Sequence, residues 1–377
     1  IEKSFDNKLL NGQDVNLSIH AGVQHILKTV LSEQISKFEA EGGAGVIMNV
    51  NSGEIYALAS FPDYNANNYR KSSDEQLFNR ASKGTYELGS TLKLITAAIA
   101  YESKLIKETD LFDVSKPLKI SSRIINDDHA LKLAINIPEI IVHSSNIGSA
   151  LIAEKIGPDI QLKFLKKLGL FDTVKLEIPE IGNPQIITDK KKISTMTISY
   201  GHGISITPVH LSAATASIIN GGLKVSPTLI KNSLKNIKKK RIFSNNTSTE
   251  MKNIMRLVVS NQYGTGKKAE APGYLVGGKT GTADKVKKSG GYFKNKNIVA
   301  FTGGFPINEP KFVITVMIDN PKGQKFSHRS TAGWIAAPVI SKLVTRIAPI
   351  LGINPQTDKT LAFTNQLLKY KIRGDEL

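Results

Sequence analysis

Between residues 21 and 40 the apolar side chains Val23, Ile26, Leu27, Val30, Leu31, Ile35 and Phe38 return at steps of three and four, the spacing of one helix face. Glu41-Gly42-Gly43 ends that helix. Two short apolar runs, 44–50 and 54–60, flank Asn51-Ser52-Gly53, a composition suited to a tight turn, and predict an antiparallel pair packed on the helix. The chain is polar and irregular from 62 to 89. Helix formers then crowd residues 92–101, which predicts a helix starting at Ser90, and further helical stretches follow over 138–156, 159–168, 208–219 and 249–258. Three late apolar runs, 275–283, 298–305 and 312–318, read as strands. Residues 332–351 have helical spacing that stops at Gly352, and the residues beyond Pro355 read as a polar tail. Strands at both ends of the chain with helices between them predict an α/β (α+β) fold: one sheet built from distant segments around a helical insertion.

Composition narrows the chemistry. With 377 residues, 40% hydrophobic and 22% charged, the chain can bury a full core, and disordered, collagen-like and coiled-coil classes are excluded. It has no cysteine, so disulfides, cysteine-type zinc sites, iron-sulfur clusters and thiol nucleophiles are ruled out. A nucleophile must be Ser, Thr, Lys or a carboxylate. The net charge of +18 suits an anionic partner, but lysines are scattered and aromatic residues make up only 7%, too few for a base-stacking platform. No nucleic acid is expected. No apolar run approaches the roughly 18 residues that span a bilayer, so the chain as it stands is expected to be soluble.

Three short motifs could carry chemistry. In Ser90-Thr91-Leu92-Lys93 the ends lie one helical turn apart, so the lysine amine can approach the serine hydroxyl. A hydroxyl becomes a nucleophile when a base removes its proton, and a desolvated, neutral lysine can be that base. Gly89 would leave the hydroxyl uncrowded, and the helix start offers N–H groups to a developing oxyanion. Ser144-Ser145-Asn146 reads by itself as a helix cap. Lys279-Thr280-Gly281-Thr282 lies in a predicted strand; at a sheet edge its cation and hydroxyls could hold a peptide with a terminal carboxylate, with Gly281 admitting a ligand backbone.

The last stretch also satisfies a nucleotide-binding pattern, since Gly273 to Thr280 reads G-x-x-x-x-G-K-[ST] and the run 312–319 ends in an aspartate, as a magnesium-binding strand does. A phosphate loop, however, needs a strand before it and a helix after it, and neither is predicted here. The seven histidines, at 20, 25, 129, 143, 202, 210 and 328, form no ligand pair at metal spacing, so no metal and no cofactor is implied. His20 and His25 read as helix-surface residues, Asp127-Asp128-His129 as a solvated loop, and Tyr200-Gly201-His202-Gly203 as a structural turn.

Taken in order, Ser90-x-x-Lys93, Ser144-x-Asn146 and Lys279-Thr280-Gly281 are the three signatures of penicillin-binding proteins and serine β-lactamases. The flanking Tyr86-Glu87-Leu88-Gly89, Ile147-Gly148, Tyr200-Gly201-His202-Gly203 and Thr282-Ala283 resemble a class B penicillin-binding protein, a division-specific peptidoglycan D,D-transpeptidase of the FtsI type, over about residues 18–352. Two family prolines are Leu88 and Leu94 here, and His20 replaces a usual acid. The resemblance implies a mainly antiparallel sheet flanked by helices, with an all-helical subdomain. It divides the chain into a linker (1–19) from an N-terminal pedestal, a transpeptidase domain (20–352; sheet core from 20–60 and 273–352, helical insertion 61–272) and a polar C-terminal tail (353–377).

The same resemblance implies a reaction and its residues. Ser90 would attack the penultimate D-alanine carbonyl of a stem peptide ending in D-Ala-D-Ala, and an amine on a neighbouring stem would capture the acyl-enzyme. Lys93 would be the base. Ser144 would relay a proton to the leaving nitrogen, and Asn146 would hydrogen-bond Lys93 or the substrate amide. Lys279, Thr280, Gly281 and Thr282 would hold the substrate carboxylate, with Lys279 also helping to keep Lys93 neutral, and the N–H groups of Ser90 and Thr282 would form the oxyanion hole. β-Lactams, a membrane glycan polymerase and other division proteins are the implied partners. The implied location is the periplasmic face of the bacterial inner membrane, with an anchoring N-terminal helix outside these residues. A β-lactamase or penicillin-sensing domain is the alternative within this chemistry, and a non-catalytic wall-binding scaffold the alternative outside it.

Overall fold

A computed structural model describes residues 14–120, 123–231, 239–287, 290–323, 330–355 and 358–374. Its main elements, in chain order, are helix α1 (Ala21–Lys37), strands β1 (Gly42–Asn49) and β2 (Ile55–Phe61), helices α2 (Lys93–Ser103), α3 (Ile137–His143), α4 (Asn146–Ile156), α5 (Pro158–Leu168), α6 (Lys192–Ser199), α7 (Pro208–Ile219) and α8 (Asn245–Ser260), strands β3 (Gly277–Val286), β4 (Tyr292–Phe305) and β5 (Phe312–Asp319), and helices α9 (Ala337–Ile350) and α10 (Asp358–Leu367).

The five strands form one antiparallel sheet in the order β2-β1-β5-β4-β3, with Gly42 opposite Asp319, Met317 opposite Ala300 and Ala300 opposite Gly281. The N-terminal hairpin thus pairs directly with the last strand, and β3 forms an edge. Both faces are covered, which explains why the strands read as continuous apolar runs rather than alternating ones. Ile47, Val299, Phe301, Val316 and Ile318 point to one side and pack with α1 and α9. Ala44, Val46, Met48, Ala300 and Met317 point to the other and join α2, α3, α7 and α8. In α1, Val23, Leu27, Val30 and Leu31 are fully buried, each side chain contributing about 1.5 to 3 kcal/mol. Among the described residues no helix is long and apolar enough to cross a membrane.

Three sequence expectations change. The apolar stretch 138–156 is two helices, because Ser144 takes a left-handed conformation (φ 65°) and Ser145 starts a new helix by accepting from the Gly148 N–H. Capping chemistry overrides apolar continuity there. The stretch 332–351 also divides, into a short turn Ala332–Ile335 and α9 with Pro338 in its first turn. Finally, the polar tail after Pro355 contains α10, whose Phe363 and Leu367 are buried in the helical core, and its last described residues pair with buried carboxylates. Residues 1–13 of the expected linker and His328 lie outside the described residues.

Candidate active site

Ser90 does not open an α-helix. It sits in a 3-10 turn, Gly89–Leu92, and the α-helix begins at Lys93. A 3-10 turn eclipses positions three apart, so the side chains of Ser90 and Lys93 leave on the same side. Gly89 has a φ of 53°, and a Cβ there would lie 2.5 Å from the Thr282 carbonyl oxygen. Gly281 answers from β3, where a Cβ would meet the Leu88 carbonyl at 2.2 Å and the Thr91 N–H. The Ser90 turn is therefore pressed onto the edge strand through backbone alone. Gly281 admits the protein's own chain where a ligand backbone was expected.

The turn is braced from behind by Glu87, which is buried; its carboxylate accepts from the Gly203 N–H at 2.7 Å and from the Tyr292 hydroxyl at 2.9 Å. Tyr200-Gly201-His202-Gly203 is thus structural, as expected, but it supports the turn that carries Ser90.

Lys93 and Lys279 are both fully buried, and they meet at Ser144. Lys93 Nζ donates to the Ser144 carbonyl, to Ser144 Oγ at 3.3 Å and to Asn146 Oδ1 at 2.7 Å. Lys279 Nζ donates to Ser144 Oγ at 2.9 Å and to the Thr280 carbonyl at 3.1 Å. Among the described hydrogen bonds the Ser90 hydroxyl is not a partner of Lys93; it is half-buried and lines the same cleft as Ser144, Thr280 and Thr282. The left-handed turn at Ser144 makes this arrangement possible, because its carbonyl and hydroxyl both face the amines while Ser145 does the capping.

Two lysines buried together cannot both hold a proton comfortably. Burial brings Lys93 down to about 7, against the opposing pull of Asp127 and Asp128. Burial likewise lowers Lys279 well below the usual lysine range, with the charge on Lys93 adding to it. Repulsion between the two amines is mutual, so a proton held on either one disfavours a proton on the other.

The cleft beside these groups has a volume of about 700 Å³. Asp127 and Asp128 stand among its lining residues, as do Lys267, Lys268 and Trp334, with the Lys268 amine 3.6 Å from the Trp334 ring centroid. Thr280 Oγ1 donates to Thr265 Oγ1 at 2.7 Å, and Thr282 Oγ1 accepts from the Ala332 N–H at 3.1 Å.

Two contributors escaped the sequence. Asp127 is no solvated loop residue: its carboxylate accepts from Ser145 Oγ at 2.6 Å, from the Asn146 N–H and from the Ile147 N–H at 3.0 Å, and so caps α4 and fixes Asn146. Nothing local marks it, since its partners are 18 to 20 residues away. Thr265, on the Tyr263-Gly264-Thr265-Gly266 turn, had only its glycines as a signal. Asp127→Ala is expected to cost about 1 to 2 kcal/mol, which a lowered urea midpoint would register; an unchanged midpoint would deny the cap its weight.

The nucleotide-binding alternative fails on the same geometry. Gly277 to Thr280 are strand, not loop, and Lys279 is buried against Ser144. Asp319 accepts from Lys285 at 2.6 Å and faces Arg80, a structural ion pair.

The Ser90 turn, the buried lysine pair and the cleft of about 700 Å³ meet at one edge of the sheet. Residues 43–344 match the family model described as the penicillin-binding protein transpeptidase domain, and the chain belongs to that family. It is 36% identical over 356 residues to a probable peptidoglycan D,D-transpeptidase FtsI of Caulobacter vibrioides, covering 92% of this chain and 60% of the relative. It is 33% identical over 364 residues to a peptidoglycan D,D-transpeptidase FtsI of Buchnera aphidicola (95% and 61%), and 31% over 369 residues to stage V sporulation protein D of Bacillus subtilis (93% and 55%). The chain spans about six tenths of the length of these relatives. The fold matches the transpeptidase domain of Burkholderia pseudomallei penicillin-binding protein 3 with a TM-score of 0.81 and 28% identity, over 92% of this chain and 99% of that one.

Proposed function

We propose that this chain is the catalytic domain of a septal peptidoglycan D,D-transpeptidase that works through a Ser90 acyl-enzyme and is a target of β-lactams. The observation that carries it is the convergence of the buried Lys93 and Lys279 on Ser144, with Asn146 bonded to Lys93, where Ser144 lines the same cleft as Ser90. A substrate carboxylate bound near Lys279, Thr280 and Thr282 favours the proton on Lys279, which leaves Lys93 as the neutral base. Ser90 Oγ then attacks the penultimate D-alanine carbonyl and its proton passes to Lys93. The oxyanion is held by the N–H groups of Ser90 and Thr282, whose segments touch through Gly89. Collapse breaks the C–N bond; Ser144 delivers the proton from Lys93 to the departing amine, and terminal D-alanine leaves. An acceptor amine attacks the ester carbonyl and gives up a proton to Lys93; the C–O bond to Ser90 breaks, the proton passes from Lys93 to Ser90 Oγ, and the cross-link forms with the free hydroxyl restored.

The rest of the assignment follows the same similarity: a domain spanning 20–352 after a pedestal linker, on the periplasmic face of the inner membrane, acting with a glycan polymerase and other division proteins. Intact-mass measurement after incubation with benzylpenicillin tests the chemistry. One adduct carrying the whole mass of the drug, decaying over many minutes or longer, is expected. Rapid drug turnover without accumulation would indicate a β-lactamase instead, and no adduct would favour a non-catalytic scaffold.

A further inference from the structure

The segment 368–374 runs back across the helical part and ends at the cleft. Tyr370 donates its hydroxyl proton to Glu250 on α8 and accepts from Asn253 Nδ2 at 3.2 Å, while Lys369 donates to Glu250 at 2.9 Å. Arg373 then brackets α3. At the start of that helix, Glu139 is completely buried; its carboxylate accepts from the Arg373 N–H at 3.0 Å, Nε at 2.8 Å and Nη2 at 2.7 Å, and from the Asn136 N–H at 2.9 Å. At the end of α3, the Arg373 carbonyl lies 2.6 Å from His143 Nε2. Gly374 packs on the Tyr263 ring, and both line the cleft.

A seven-residue helix is marginal alone, and the residue after His143 is Ser144, where both lysine amines converge. We propose that Arg373 is a positioning residue for acylation: by holding Glu139 and His143 it sets α3, and through α3 the Ser144 carbonyl and hydroxyl against Lys93 and Lys279. Burial pushes the Glu139 carboxyl up, yet the hydrogen bonds from Arg373 and Asn136 prevail and hold it below its usual range, so the pair is charged at neutral pH. The inference rests on the acyl-enzyme chemistry proposed above and adds to it a residue far outside the three motifs, 94 positions after Lys279.

The test is stopped-flow acylation by a fluorescent penicillin, resolved into drug affinity and the acylation rate constant. Arg373→Gln is expected to lower the rate constant by about tenfold or more, because displacement of a catalytic group by about 1 Å costs on the order of a hundredfold, while drug affinity changes by less than about threefold. Arg373→Lys, which keeps the charge but not the fork, is expected to recover most of the rate. Should Arg373→Gln fail to fold, the neutral pair Glu139→Gln with Arg373→Gln removes the stranded buried charge and is expected to fold and remain slow. A folded Arg373→Gln or double variant that acylates at the unaltered rate, or an Arg373→Lys variant no faster than Arg373→Gln, would overturn the proposal. Absence of labelling in the unaltered protein would instead overturn the acyl-enzyme chemistry, and this inference with it.

Discussion

Replacing Ser90 by alanine is expected to abolish covalent labelling by penicillin and to lower peptide turnover by on the order of 10⁴-fold or more, the scale seen when a serine nucleophile is removed. The fold should not notice. Ser90 is half-buried in a turn held by the backbone contacts of Gly89 with Thr282 and of Gly281 with Leu88, none of which involves its hydroxyl. The change in stability should stay within about 0.5 kcal/mol. Thermal melting and drug labelling on the same sample separate the two: stoichiometric labelling of the alanine variant would remove Ser90 from the mechanism, and a collapsed melting curve would show that the turn depends on its side chain after all.

The proposed nucleophile and base come from a local motif, while everything that would tune them comes from far away. Ser90 and Lys93 need only one turn of chain. The second amine needs strand β3, which sits at the sheet edge because the last three strands pair in sequence and the N-terminal hairpin joins on the opposite side. The hydroxyl between the amines needs a break between two helices, and that break is held by Asp127 on one side and by Arg373 on the other. Each long-range element contributes a polar group to a buried cluster that would be costly if any member were unpaired. The site and the fold therefore stabilise each other through the same hydrogen bonds.

Much of this was legible beforehand, and the exceptions have physical causes. Periodicity found α1, the hairpin and the three late strands because each buries a continuous apolar face. The motif residues were singled out by the order in which three individually weak patterns follow one another along the chain, and the structure brings Lys93, Ser144, Asn146 and Lys279 together. Asp127, Thr265 and Arg373 were missed because an aspartate, a threonine and an arginine in polar stretches carry no periodic signal, and their partners lie between 14 and 234 residues away. At Ser144 two readings conflicted, a continuous apolar helix over 138–156 and a cap at Ser144-Ser145-Asn146, and the cap is the one the structure keeps. A left-handed serine followed by a capping serine interrupts a helix without any glycine or proline to announce it.

The rate of acylation should rise with pH through about 7, since Lys93, brought down to about 7 by burial, must be neutral to accept the Ser90 proton. Below that range the rate should fall about tenfold per pH unit. The observed midpoint belongs to the lysine pair, because Lys279 is lowered by burial and by the charge on Lys93 and shares Ser144 Oγ with it. A stability effect accompanies this. The unfolded chain protonates Lys93 up to the ordinary lysine value of about 10.4, whereas the folded chain releases that proton near 7. Between these values the unfolded state binds more protons, so folding stability rises with pH across the window, and at pH 7 the neutral burial withholds on the order of 5 kcal/mol. Lys93→Met should therefore lower acylation by about 10² to 10⁴-fold and flatten the increase in unfolding free energy between pH 7 and 10, with the part due to Lys279 remaining. Chemical unfolding at those two pH values, beside acylation rates from pH 5.5 to 8.5, checks both. An acylation rate that ignores pH, or a stability slope that Lys93→Met leaves unchanged, would mean that Lys93 keeps its proton in the folded protein and that another group activates Ser90.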